Sequence, residues 1–271
     1  MDKLMDELTL EPKSIWGVIV SAWQLFKASW VKVLPISIIY IILMGIVDFI
    51  LPDTESTLQV LAHSDSVNSA VATVAAAPTP ISGLVIFLHV VVSFIGIFLF
   101  AAMLVKMESI RKKEPICLGK AFGIAFRKYF LYLIAAVVFL VITVVGLFLL
   151  VVPGLFIGLL MYFFLPNILV DNGGIFSSIK HSIKFVWGHW WRIFATMVLG
   201  HLLFVIPIWI LFFIVGLVAV LFLKGSLITL VLMLGMGIIV TLIVLPWPLA
   251  LMLSMYHDLK MRLALKNVEK A

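Results

Sequence analysis

Cysteine is nearly missing from this 271-residue chain. Cys117 stands alone, so no intramolecular disulfide can form, and it matches no metal-ligand spacing. Charge is scarce as well. Only 12% of the residues are Asp, Glu, Lys or Arg, about half the share of an ordinary soluble domain, which excludes a water-soluble globule. Missing too are a glycine-rich phosphate loop, an H-E-x-x-H pair, a nucleophile elbow and paired carboxylates at a working spacing. The N-terminal Met1–Lys13 mixes acids with lysines and leads into no short apolar core with a small-residue cleavage site. No removable signal peptide is expected, and the first span should remain in the mature protein.

What is present is apolar. Hydrophobic residues make up 64% of the chain, and with 21 Phe and 8 Trp it carries far too much apolar surface to stay disordered. The class is an all-α polytopic membrane protein. A crossing helix needs about 20 mostly apolar residues. Six stretches qualify, at 33–52, 81–106, 129–152, 154–170, 192–222 and 227–256. The third and fourth are parted only by Pro153-Gly154, read as a turn; the alternative is one long helix kinked at Pro153.

Charge orients this layout, because Lys and Arg of short loops stay cytoplasmic. With six spans, eighteen of the nineteen basic residues fall on one face, and only Lys224 lies on the other. The loop 53–80 carries Asp53, Glu55 and Asp65 and no Lys or Arg, and is read as external. Both termini are expected in the cytoplasm, and the net charge of +6 is explained by topology rather than by a nucleic-acid partner.

Each pair of spans is preceded by a segment of helical periodicity with one polar side, at 14–30, 117–128 and 175–188. The apolar stripes are Ile15, Ile19, Trp23, Phe26 and Trp30, then Leu118, Phe122 and Phe126, then Ile175, Ile179, Ile183 and Val186. Such helices are expected to lie in the headgroup plane, with their lysines meeting anionic lipid at the cytoplasmic face. Trp16, Trp23, Trp30, Trp187, Trp190 and Trp191 serve as interfacial anchors. At an offset of 160, residues 22–32 align without gaps on 182–192, pairing Trp30 with Trp190 and Lys32 with Arg192. A looser copy begins at Ala125. This reads as three units, each an amphipathic helix plus a membrane hairpin, unless it reflects only the aromatic and basic residues common to bilayer entry points. Gly154 and Gly158 allow a close helix crossing, most simply with the third span. Pro207, Pro246 and Pro248 fall inside spans five and six, where they free carbonyls and mark kinks.

Ionisable residues within the bilayer are functional candidates by default, and there are three: Asp48, His89 and His201. They provide a proton or cation site if their spans meet. In the plainer reading the imidazoles are neutral and bonded to backbone or hydroxyls, and Asp48 reaches outward to water. Asp171-Asn-Gly-Gly174 suits either a cation or a helix cap, with capping the better fit. Asp171, His181 and His189 are the sparse candidates for lipid chemistry at the interface. No catalytic residue, metal or cofactor is expected.

Three runs carry a resemblance: Val151–Gly158, Leu165–Asp171 and Ser178–Arg192. Together they resemble the YciC-type inner-membrane proteins and the related membrane domain fused to some bacterial glycerophosphoryl diester phosphodiesterases. The similarity centres on 150–195 and extends to Pro248–Arg262. It implies a six-span bacterial inner-membrane protein; the phosphodiesterase activity does not carry over, because this chain has no such domain. Asp171 stands where an acidic residue, often Glu, is expected. The leading expectation is a non-enzymatic organiser of lipid or of a partner protein at the cytoplasmic face. The alternative is a small permease built around Asp48, His89 and His201.

Overall fold

The computed structural model describes residues 12–50, 83–149, 151–223 and 227–268, with no strand among them. The described helices are α1 (Ile15–Ile50), α2 (Gly83–Arg111), α3 (Leu118–Leu149), α4 (Val151–Met161), α5 (Phe164–Val170), α6 (Ile175–Val186), α7 (Trp190–Leu223), α8 (Leu227–Val244) and α9 (Trp247–Val268). Among the described residues, five stretches are long and apolar enough to cross a membrane: Ile15–Ile46, Phe87–Arg111, Leu118–Gly146, Trp190–Ala219 and Val231–Lys266. The fourth expected crossing is not among these; Phe156–Val170 is a shorter apolar segment. The expected external loop 53–80 lies outside the described residues.

The described chain divides into two compact units. The first draws on Met1–Val33, Phe100–Leu202 and Pro246–Ala271, and the second on Leu34–Leu99 and Leu203–Leu245. Within the second unit, glycines allow close crossings. A Cβ on Gly96 of α2 would come within 3.1 Å of the Tyr40 ring of α1, and one on Gly216 of α7 within 3.2 Å of the Met233 sulfur of α8. Ile42, Phe87, Phe213 and Leu234 are among its exposed apolar side chains. A surface of that character suits hydrocarbon.

Four expected segments end differently from the observed helices. The segments 14–30 and 117–128 are not separate interfacial helices but run unbroken into the apolar spans that follow, as the 36-residue α1 and the 32-residue α3. Neither Trp30–Val33 nor Arg127–Leu131 contains a glycine or proline to end the helix. In the third copy α6 does stop, and the reason is local. Gly188 adopts φ +110°, a left-handed conformation that glycine takes without a Cβ penalty, and α7 starts afresh at Trp190. The residue aligned with it in the first copy is Ala28, which stays helical.

The expected span 227–256 is also divided. Leu245 and Pro246 form a turn, and Pro248 sits in the first turn of α9, where a missing N–H leaves no helical bond unmade. Pro207, by contrast, lies in the interior of α7.

The span 154–170 splits at Tyr162–Phe163, four and three residues before Pro166, whose ring disfavours continuation of the preceding turn. The chain does reverse between α3 and α4. A Cβ on Gly146 would lie 3.0 Å from the Gly154 Cα, and one on Gly158 would lie 3.7 Å from Thr143. Farther along, Phe164 stacks on both Phe139 and Tyr132. A single kinked helix cannot bring residues 143 and 158 together, since about 15 residues span roughly 22 Å of helix. The reversal falls a few residues before Pro153-Gly154, so that pair opens α4 rather than forming the turn itself.

Burial also corrects the expected faces of the amphipathic segments. The most enclosed residues are small: Val18 and Ala22 in α1, Ala121 and Ala125 in α3, Ser178 and Ser182 in α6. They recur four residues apart at the same register in all three copies, and the larger Leu25 and Phe26 of α1 match Phe185 and Val186 of α6. Phe126 and Ile183 from the expected apolar stripes are exposed, as is Phe176. Close helix approach selects small side chains, which leaves the aromatic ones facing outward.

Candidate functional site

The polar groups of the first unit gather around one stretch of α9, Tyr256-His-Asp-Leu-Lys-Met-Arg262. At about 100° per residue, this stretch offers three directions. Tyr256 and Lys260, four apart, share one side. Asp258 and Arg262, also four apart, share the side roughly opposite, and His257 lies between them.

Each direction meets a different segment. Lys260 donates to both carboxylate oxygens of Asp171 at 2.8 Å, and the buried Tyr256 hydroxyl donates to the same group. His257 Nε2 is 3.0 Å from Glu108 Oε2, while Arg111 grips both Glu108 oxygens at 2.9 and 2.8 Å. Asp258, only 3% exposed, accepts the Lys13 backbone N–H at 2.8 Å, Arg192 Nη2 at 3.0 Å and Arg262 Nε at 2.9 Å. Burying a carboxylate is tolerable only with such pairing. Glu108, near the C-terminal end of α2, and Asp171, at the end of α5, thus reach the same stretch of α9 that carries Asp258. Beside this cluster, Val18, Arg192, Ile193, Thr196, Met255, Asp258 and Leu259 line a cleft with space for about one water.

Asp171 is not the N-terminal cap of the helix that follows it. It is the C-cap residue of α5, and Gly174 precedes α6 without a side-chain cap. Burial acts to raise the pKa of the Asp171 carboxyl, but the bonds from Lys260 and Tyr256 outweigh it and hold the group below the usual carboxylate value of 3.8.

The motif residues before and after Asp171 stitch α6 to the break between α4 and α5. Ser182 Oγ accepts the Phe163 N–H at 3.0 Å and donates to the Leu160 carbonyl at 2.8 Å, replacing helical bonds lost at the break. Buried Asn167 accepts from Ser178 Oγ at 3.2 Å, and its amide is 2.9 Å from His181 Nδ1. Gly173 must lack a side chain, since a Cβ there would lie 2.3 Å from Asn167 Oδ1. Lys128 holds the Ile168 and Leu169 carbonyls at 3.0 and 2.9 Å.

Of the intramembrane candidates, only His201 lies in the unit that holds this cluster, and its bond is to its own helix. His201, in the first unit, donates Nδ1–H to the Met197 carbonyl of its own helix at 2.7 Å, since a carbonyl can only accept. His89, in the second unit, is half-buried, and its carbonyl accepts from Ser93 Oγ at 2.7 Å. The Asp48 side chain lies outside the described residues. Of the interfacial tryptophans, Trp16, Trp187 and Trp191 are 63%, 64% and 66% exposed and Trp23 is exposed; Trp30 and Trp190 are half-buried. Trp190 and Trp191 stack at 4.0 Å. Among the described residues, no three His, Cys, Asp or Glu side chains are placed to hold a metal ion.

Sequence reasoning missed Glu108, Asp258, Arg192 and Arg262 as a group. The readable signal was the four-residue spacing of Asp258 and Arg262 on one helix, which is also the spacing of an ordinary solvated pair. No family model, curated protein or solved structure matches the chain.

Proposed function

We propose that this chain is a six-span protein of the bacterial inner membrane, built as three hairpins with both termini in the cytoplasm, of the YciC type. Its role in this proposal is non-enzymatic: it organises lipid or a partner protein at the cytoplasmic face. The observation that carries the reading is the use made of three acids, two of them buried. Asp171 pairs with Lys260 and the buried Asp258 with Arg192, in links between segments far apart in the chain, while the buried Glu108 pairs with Arg111 of its own helix and meets His257 of α9. Joining segments in this way is the work of a scaffold. The aromatic and basic side chains of the amphipathic segments, Phe176, Lys180, Lys184, Trp187 and Trp191 among them, are left on the surface. That combination suits contact with headgroups.

Orientation rests on the sidedness of Lys and Arg, and the reversal at Gly146–Gly154 supports a fourth crossing despite its interruption at Pro166. Reporter fusions provide the test. A reporter after Ala271 is expected to be active only as a cytoplasmic marker, and one inserted near Ser66 only as an external marker. The reverse pattern would refute the layout.

A further inference from the structure

We propose that Arg192, Arg262 and Lys266 form a binding site for the phosphate of an anionic glycerophospholipid headgroup, at the end of α7 that carries Trp190 and Trp191. The assignment rests on the cytoplasmic orientation proposed above and makes one discrete site out of a general affinity for lipid.

Two guanidiniums are brought onto the same oxygens. Arg192 and Arg262 both donate through Nη2 to the Lys13 carbonyl, and both bond Asp258 Oδ2. One carboxylate offsets one of these charges. Lys266, four residues beyond Arg262 on α9 and exposed, adds another, so the locus keeps a surplus of positive charge. The field is felt at His189, whose pKa is held below the usual histidine range by burial first and then by the charges of Arg262, Lys266 and Arg192.

Donors remain as well. The Nε–H and Nη1–H groups of Arg192 and the Nη1–H groups of Arg262 have no acceptor among the described residues, and both side chains are 22% exposed. A planar guanidinium with spare N–H groups matches the oxygens of a phosphodiester, and two in adjacent positions match them better than lysines alone. Rings at the same end of α7 favour a lipid over a soluble anion. Trp190 and Trp191 directly precede Arg192; Trp191 is exposed and Trp190 half-buried, and such indoles are best solvated at headgroup depth.

The test uses the full-length protein in detergent, offered equal amounts of phosphatidylglycerol and phosphatidylcholine and read by native mass spectrometry. Wild type is expected to retain phosphatidylglycerol preferentially. Lys266→Gln should reduce that preference roughly fivefold, the effect of one cation at a charged surface, and Arg262→Gln should reduce it further. Lys112→Gln, at an exposed cation just past the end of α2 and outside the amphipathic segments, should leave it unchanged. No side-chain bond of Lys266 is found among the described residues, so its variant decides the matter if Arg262→Gln fails to fold. Wild-type preference in Lys266→Gln, or an equal loss in Lys112→Gln, overturns the site. Release of phosphatidylglycerol by excess inorganic phosphate as readily as by added lipid would make the ligand a soluble phosphate and overturn the lipid assignment. Orientation is read separately, by labelling Lys266→Cys in a Cys117→Ser background on intact cells. Labelling from outside overturns the layout whatever the lipid result, whereas protection together with lost selectivity in wild type overturns the site alone.

Discussion

Asp258 joins the N-terminal Lys13, the start of α7 and its own helix through one carboxylate. Asp258→Asn keeps its size and removes its charge, leaving two guanidiniums facing each other without compensation. Breaking a buried pair this way costs about 3–5 kcal/mol, so the variant is expected to unfold well below the wild type in a thermal melt of the purified protein; equal melting would contradict the role given to this residue. Asp171 makes a prediction about pH. Its pKa is lower in the folded protein than its usual 3.8, so the stability it contributes is complete above that value and is lost as pH falls through the folded pKa. Its share of the melting temperature should therefore be constant near neutrality and fall only below about pH 4, and Asp171→Asn should flatten that acid-side decline. Neither role could be read from composition. An acid among cations on a polar segment has the same local signature whether solvated or buried, and partners 85 and 245 residues away leave no mark on spacing.

At the scale of elements, the break between α4 and α5 depends on a side chain from α6. Ser182→Ala would leave the Phe163 N–H and the Leu160 carbonyl buried without a partner, at a cost of about 1–3 kcal/mol, visible as a lower melting temperature. Val or Leu there should be worse, because Ser182 is fully enclosed. Gly146→Leu is expected to disrupt the α3–α4 crossing, since even a Cβ would stand 3.0 Å from the Gly154 backbone. Wild-type unfolding of that variant would show that the two helices part without penalty. The sequence marked Pro153-Gly154, Gly158, Pro246 and Pro248 as special positions. It misplaced Pro153, which opens a helix rather than forming the turn, and it did not single out Pro166, which breaks a helix, or Gly188, which separates α6 from α7.

For the whole molecule, the proposed layout places the cluster Arg111, Lys112 and Lys113 in the cytoplasm. An impermeant reagent applied to intact cells is expected to leave a cysteine at Lys112 unmodified and to react once the membrane is opened; labelling of intact cells would reject the three-hairpin arrangement. That the chain is all-helical among its described residues, with several segments able to cross a bilayer, was determined by the sequence alone, because hydropathy and helix length are sums over neighbouring residues. Which acids are buried, which face of each amphipathic segment packs inward, and that Glu108 and Asp171 reach the polar stretch of α9 were decided only by the tertiary structure. Those outcomes depend on close approach between distant segments, where small side chains admit a neighbour and a buried charge must find its counterpart.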